Sequence, residues 1–358
     1  MKIIHCSDLH LDSKLNGISS DKSKLRRGEL VHSFERLCDY AEKNDVSAII
    51  IAGDMFDTAR VTLKTKGRVL DCISAHKDID FLYLSGNHDE DGFISSIEDI
   101  PANLKVFGNK WTSFRYGDVV ITGICFDGFN NKTFYDTLSL DKDDINIVTL
   151  HGQVIGYSSK DAAENISLPL LKGENIDYLA LGHIHYNDIK PLDERGVYAY
   201  SGCLDGRGFD ETGVKGFYLL NTESKKVKAE FIPFSSRVLH EATFNLDGSK
   251  SFYDIKREIL TLLKKECNSG DLIKVVLKGE IPTDYIVDVN GLTVLLNSEF
   301  FFVKVIDKTS LKISEEDIAA DKSVRGEFIR LVLNSDMDLQ AKNKVIMCGI
   351  NALKGEEI

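Results

Sequence analysis

Eight side chains able to meet a metal ion or a phosphate stand at five points of the chain: Asp8 and His10, Asp54, Asn87 and His88, His151, and His183 with His185. They include five of the nine histidines, a concentration that scattered surface histidines would not give. A mixed set of carboxylate, imidazole and amide suits manganese, iron or zinc; all-oxygen calcium or magnesium binding is a poorer match. The set is too large for one ion. Two ions roughly 3.5–4 Å apart, bridged by one carboxylate, would use it. Asp54 is the natural bridge, because an aspartate after a glycine at a strand end can project both oxygens into the gap. Such a pair lowers the pKa of bound water, so that hydroxide exists near neutral pH, and it neutralises phosphate oxygens. The implied chemistry is in-line attack of hydroxide on phosphorus. The leaving oxygen then needs a proton or charge stabilisation. His88, next to Asn87, is the candidate to orient the substrate and assist that departure. Asp57 and Asp89 are candidates to hold the His88 tautomer, with local turn capping as the competing role for both.

These residues need a scaffold that gathers five distant points. Lys2–Cys6, Val46–Ala52 and Asp80–Leu84 read as short apolar strands. Each runs at once into a polar turn: Ser7-Asp8-Leu9-His10, Gly53-Asp54-Met55-Phe56-Asp57, and Ser85-Gly86-Asn87-His88-Asp89. Helices are expected between them, from about Gly28 to Lys43 and from about Leu63 to His76. One such turn means little. Three in succession fit the rule that open α/β sheets bind ligands outside the carboxyl ends of their strands. Ile145–Leu150 before His151-Gly152, and Asp177–Leu181 before Gly182-His183-Ile184-His185, repeat the pattern. Val197–Ser201, Gly216–Leu220 and Lys225–Ile232 alternate like strands of a second sheet. Residues 153–172 read as a polar insertion. The expected fold class is α/β, a two-layer mixed β-sandwich flanked by helices, over residues 1–235. Residues 236–308 read as a small α+β domain, with a helix at Ser251–Cys267, strands at Leu272–Leu277, Tyr285–Val289 and Phe300–Val305, and a short helix near Gly291–Asn297. Residues 309–358 read as a linker and a C-terminal helical segment, with a helix from about Val324 to Leu333.

The 358 residues are 43% hydrophobic and 28% charged, the balance of a folded chain. A net charge of -12 argues against a broad non-specific nucleic-acid surface. It leaves room for a local basic groove, or for a site where ions supply the positive charge. Seven cysteines without a Cys-x-x-Cys pair suggest neither a zinc ribbon nor a dithiol redox motif, and fit a reducing compartment. The chain enters a strand at once, shows no signal-peptide pattern, and has no apolar run of membrane-spanning length. A cytoplasmic location without membrane contact is the expectation.

Taken together, Asp8-x-His10, Gly53-Asp54-x-x-Asp57, Gly86-Asn87-His88-Asp89, His151-Gly152 and Gly182-His183-x-His185 resemble the signature of the calcineurin-like metallophosphoesterases. The resemblance implies one metal on Asp8, His10, Asp54 and His185, and a second on Asp54, Asn87, His151 and His183. It also implies that His88 is catalytic without being a ligand. Ser7-Asp8-Leu9-His10-Leu11-Asp12 and Gly53-Asp54-Met55-Phe56-Asp57 resemble the DNA repair exonuclease branch, with its SbcD-like and YhaO-like nuclease subunits. The stretch Cys203–Gly213 and the helix segment Gly326–Arg330 are similar to YhaO-like relatives. The module after residue 238 resembles that branch's capping domain. Implied by the branch are manganese-dependent cleavage of DNA, 3′ to 5′ on duplex ends with endonuclease activity on single strands, an SMC-like coiled-coil ATPase as partner, and a homodimer.

A DNA enzyme draws affinity from lysine and arginine on phosphates. Lys24, Arg26 and Arg27 after the first motif, Arg60 after the second, and Arg207 are the candidates, against a plain solvated surface. The alternative within the same chemistry is a phosphodiesterase or phosphatase on nucleotides or other small phosphoesters. A scaffold with a merely structural metal site fits less well, because the ligands and His88 are all present.

Overall fold

The computed structural model describes all residues except 14, 16, 58–60, 90–92, 95, 96, 98, 126–131, 156–164, 224, 225, 283, 284, 313–320 and 354–358. It divides into two compact units, Met1–Leu239 and His240–Ile358. The second unit therefore holds both the small α+β domain and the C-terminal helices.

In the first unit, β1 (Lys2–Cys6), β2 (Val46–Ala52), β3 (Asp80–Leu84) and β4 (Leu104–Val106) run parallel. The second sheet centres on parallel β6 (Val119–Gly123), β7 (Ile145–His151), β10 (Tyr178–Gly182) and β12 (Val197–Tyr200). Its edges are the antiparallel strands β5 (Thr112–Tyr116) and β11 (Asp188–Pro191). A small pair, β8 (Gln153–Val154) with β9 (Asn165–Ile166), lies in the stretch expected as a polar insertion. One expectation is corrected here. The strands β13 (Gly216–Asn221) and β14 (Lys228–Pro233) join the first sheet, antiparallel beside β1, and only β12 of that trio enters the second.

The period-2 pattern of β2 builds both layers. Ala48, Ile50 and Ala52 face Ile121, Ile147, Tyr178 and Ala180 between the sheets. Ile49 and Ile51 face the other way, into Phe34, Leu37, Val69 and Ile73 of α1 (Ser20–Lys43) and α2 (Leu63–Ala75). A strand covered on both faces reads as the unbroken apolar run seen in the sequence. Helix α1 starts well before Gly28, because its first turns carry charged residues that no apolar stripe marks. The outer face of the second sheet packs Val148, Leu150, Leu179 and Leu181 against Ile166, Leu171 and Ile176.

In the second unit a three-stranded sheet runs β15 (Leu239–Asn245), β16 (Leu272–Ile281), β17 (Phe302–Leu311). Helices α3 (Phe252–Glu266) and α4 (Val289–Asn297) bury Ile259, Leu263, Leu292 and Leu296 against it. Tyr285–Asp288 is not a strand; Asp288 instead caps α4, accepting from the Gly291 N–H at 2.8 Å. The expected linker starting at residue 309 is also corrected: β17 stays in register with β16 to Leu311. Its second half carries four polar residues in a row, Asp307 to Ser310, so it resembles a linker in sequence. Helices α5 (Val324–Leu333) and α6 (Leu339–Leu353) pair through Ile329, Val332, Ile346 and Ile350.

His5 of β1 links the two sheets, its Nδ1 lying 2.9 Å from the Tyr178 hydroxyl of β10. Burial holds its pKa down, to about 3, so the folded state keeps the imidazole neutral. The unfolded chain binds a proton near 6.5 that the folded chain refuses, so this group's stability is present above pH 6.5 and is lost as the pH falls toward 3. Urea denaturation of His5→Gln at pH 7 and pH 4.5 should therefore show a smaller drop in midpoint than the parent protein. An equal drop would remove His5 as a source of acid sensitivity.

Candidate metal centre

The parallel strands β1, β2 and β3 of one sheet, and β7 and β10 of the other, each deliver a ligand-bearing turn to the same edge of the sandwich. The pairing of β1 with β2 continues past the strands: Asp8 and His10 N–H donate to Gly53 and Asp54 O at 3.0 Å. His151 at the end of β7 lies opposite Gly182 at the end of β10. Asp8, His10, Asp54 and His183 all have positive φ, at 52°, 43°, 53° and 100°. Non-glycine residues rarely adopt that region, and such strain persists only where the surroundings enforce it. Gly182 shows the enforcement from the other side. A Cβ there would stand 1.8 Å from Ala52 O and 2.7 Å from His151 Nδ1. Only glycine lets β10 come that close to the end of β2.

The seven expected ligand side chains gather in two neighbouring groups about Asp54, with Asp8 also within 4.8 Å of Asp54 and His151. In one, His10 Nε2 lies 3.2 Å from His185 Nε2, which lies 3.9 Å from Asp8 Oδ1. In the other, His151 Nε2 and His183 Nδ1 lie 2.9 and 3.3 Å from Asn87 Oδ1. Asp54 Oδ2 stands between the groups, 3.7 Å from His10 Nε2 and 3.5 Å from His151 Nε2. Its other oxygen accepts the His88 backbone N–H at 2.9 Å. The two oxygens of Asp54 thus have different neighbours, imidazoles on one side and the His88 backbone on the other. Ligands 2.0–2.2 Å from a common ion stand about 3–3.5 Å apart, close to these spacings. The donor chemistry therefore fits a pair of divalent cations.

Three of the four imidazoles have a partner on the nitrogen that faces away from the centre. His151 Nδ1–H donates to Ala52 O at 2.9 Å, and His185 Nδ1–H to Glu211 Oε1 at 2.8 Å. His10 Nδ1 faces Asp57 Oδ1 at 3.3 Å. His183 Nε2 is buried and has no hydrogen-bond partner among the described residues. Burial lowers the pKa of His10, and that of His183 to about 4 with His151 adding to the effect, so both favour the neutral, ligating form. Burial alone would raise the pKa of Asp54, but His151, His10 and the His88 N–H outweigh it and keep the carboxylate ionised.

Glu211 was not singled out as a functional residue from the sequence. It is buried, and burial is overcome by His185 and Arg207, which hold its carboxyl well below the usual range. Arg207 donates to Glu211 Oε1 at 2.8 Å and to Asp57 Oδ1 at 2.8 Å, tying the supports of His185 and His10 together. Ser7 Oγ donates to Asp8 Oδ2 at 2.5 Å, and Lys215 Nζ donates to His185 O at 2.8 Å. The glycine-rich run around Cys203–Gly213 was the only sequence signal pointing toward Glu211.

The two aspartates near His88 have different roles from each other. Asp89 accepts the backbone N–H groups of Met55, Phe56 and Gly86 at 2.9–3.1 Å, which clamps the second turn to the third. That is the capping role. Burial, with Asp54 nearby, raises its pKa to about 6. Asp57 groups with His10 and His88, their ligand atoms within 4.8 Å of one another, but its short contacts are to His10, Arg207 and Ser13.

Of the candidate phosphate contacts, Lys24 is exposed on α1 and Arg27 is half-buried, donating to Ser13 O. Arg26 is corrected: it is 1% exposed, held by Glu29 and Gly206 O, and cannot reach a backbone phosphate. Arg60 lies outside the described residues. Arg207 is 17% exposed, inside the ligand-supporting network.

The family model for calcineurin-like phosphoesterases matches residues 1–187, the stretch that carries all seven ligands. The chain belongs to the calcineurin-like phosphoesterase family. It is 26% identical over 304 residues to the uncharacterized metallophosphoesterase YhaO of Bacillus subtilis, covering 79% of this chain and 72% of that one. It is 26% identical over 309 residues to the DNA double-strand break repair protein Mre11 of Saccharolobus solfataricus, covering 78% and 76%. It is 23% identical over 269 residues to a subunit of the nuclease SbcCD of Staphylococcus epidermidis, covering 65% and 69%. The protein is a metal-dependent phosphoesterase, and the cluster offers aspartate, asparagine and histidine donors to divalent cations. Among its described residues no helix is long and apolar enough to cross a membrane.

Glu211→Gln keeps the shape but removes the charge that holds His185 Nδ1–H. Its Mn²⁺ affinity by isothermal titration calorimetry should fall about 10–100-fold, with the circular dichroism spectrum unchanged. Gly182→Ala should lose metal binding and unfold at a lower temperature than the parent. Normal manganese binding by Gly182→Ala would refute the packing argument.

Proposed function

We propose that the protein is a two-metal phosphodiesterase acting on DNA, a 3′–5′ exonuclease with endonuclease activity on single strands. The observation that carries the phosphodiester chemistry is the pair of ligand groups around Asp54 Oδ2, with His88 joined to the same carboxylate. DNA as the substrate is supported by relatives named as a nuclease subunit and as DNA break repair proteins. When bound, two divalent cations, manganese by preference, supply a nucleophilic water near neutral pH and neutralise phosphate charge.

The chain's own residues do the rest. Asp8, His10, His185 and Asp54 would hold one cation; Asn87, His151, His183 and Asp54 would hold the other. The His88 ring stands 5.1 Å from the His10 ring, edge to face. From there it orients a phosphate oxygen and gives a proton to the leaving oxygen. Arg207 sets the electrostatics of the rim, and Lys24 and Arg27 on α1 offer positive charge to a polymer backbone. An SMC-like coiled-coil ATPase and a second copy of the chain are the proposed partners, and the proposed location is the cytoplasm.

The same centre would hydrolyse a nucleotide or another small phosphoester. The net charge of -12 and the burial of Arg26 favour that reading, since both reduce the cation available to DNA.

The deciding experiment incubates purified protein with end-labelled single- and double-stranded DNA and with a generic phosphodiester. Manganese, magnesium and chelator arms run in parallel. Metal-dependent shortening of DNA from the 3′ end is expected, and chelation should abolish it. Robust turnover of the small ester with intact DNA under every metal would replace the nuclease reading with the second one. In the same assay His88→Ala should lose about 10²–10⁴-fold in kcat while keeping its manganese content. Unchanged turnover would sink the role given to His88.

A further inference from the structure

Away from the metal centre, helices α1 and α2 bring a second set of donor atoms together. Cys38 and Asp39 lie near the end of α1. Cys72 lies in the last turn of α2, and His76 is that helix's C-cap. Donor atoms of Cys38, Cys72 and His76 all fall within 4.8 Å of one another. Cys72 Sγ is 3.9 Å from His76 Nδ1. Both cysteines are free thiols, Cys38 fully buried and Cys72 half-buried. By chain order the ends of α1 and α2 precede β2 and β3, so the cluster sits at the starts of these strands. The phosphoesterase centre lies at their carboxyl ends.

We propose that Cys38, Cys72 and His76 form a site for a single thiophilic cation, Zn²⁺ by preference, which staples α1 to α2. Zinc bonds of 2.3 Å to sulfur and about 2.0 Å to nitrogen put tetrahedral ligands about 3.5–3.8 Å apart, so the cluster closes on an ion with only a small movement. Cys72 and His76 are four residues apart at one helix end, and Cys38 reaches them from the neighbouring helix. Asp39 Oδ1 stands 3.8 Å from His76 Nε2. It is placed to take the proton of that nitrogen while Nδ1 turns to the ion, the carboxylate–imidazole–metal relay common at zinc sites. The position of His76 is fixed from behind: Asn103 Nδ2 lies 2.8–3.0 Å from the carbonyls of Ile73, His76 and Ile79. Loading has a defined chemical cost. His76 Nδ1 now lies 2.8 Å from Cys72 O and must give up that bond. Burial, with the Cys72 thiol beside it, keeps the Cys38 thiol protonated, so zinc enters as the two thiol protons leave. No electron is transferred. The phosphoesterase centre has no thiol ligand among its seven residues, which separates the two sites by spectroscopy.

The test titrates Co²⁺, a zinc surrogate, into reduced full-length protein and follows the thiolate-to-cobalt charge-transfer absorption in the near ultraviolet. The expected result is one saturable equivalent, displaced by Zn²⁺. The band should persist in Asp54→Asn, disappear in Cys72→Ser, and need at least tenfold more cobalt in His76→Gln. Zinc should also slow alkylation of Cys72 by iodoacetamide at least tenfold. Absence of the band in the parent protein overturns the proposal, as does a band that Cys72→Ser leaves intact. Should Cys72→Ser fail to fold, unchanged cobalt affinity in His76→Gln overturns it instead.

Discussion

The centre depends on how closely β10 approaches the end of β2. Gly182 lies against the Ala52 carbonyl, and that carbonyl also receives the His151 Nδ1–H. One contact therefore joins the two sheets, sets the His151 tautomer and places His183 one residue later. The absence of a side chain at Gly182 lets the donor side chains of the two sheets gather about Asp54. The left-handed backbones of Asp8, His10, Asp54 and His183 follow from the same crowding. Each turn must leave its strand sharply to face the opposite sheet. Packing elsewhere in the sandwich offsets that strain.

Around this contact the charges are arranged in closed circuits. Asp57 and Glu211 support His10 and His185, and Arg207 spans both carboxylates. Arg207 thereby offsets part of the negative charge of Asp57 and Glu211. Asp89 has a different function. With backbone donors on both its oxygens, it holds the second and third turns in register, so Asp54 and Asn87 move as one piece.

The ligand-bearing turns were legible in the sequence because each follows a strand buried on both faces, whose apolar run ends abruptly in polar residues. Those unbroken apolar runs located β2, β3, β7 and β10, while alternation marked the strands after them. Alternation gave less for β13 and β14, since it identifies a strand but not its sheet. Their place beside β1 is decided by long-range pairing. Glu211 was hidden because its meaning lies in a hydrogen bond to a histidine 26 residues away. Arg26 misled for a related reason. Its place among charged neighbours looked like surface, while its actual partners, Gly206 O and Asp205, are supplied by a distant loop. The second half of β17 has the composition of a linker because only one face and one edge of it are covered.

The two oxygens of Asp54 have different neighbours, and this couples two parts of the centre. Because Asp54 Oδ1 accepts the His88 N–H, a rotation of this carboxylate would also release the backbone of His88. The carboxylate of Asp54 therefore ties the backbone position of His88 to the oxygen that faces both groups of donor side chains.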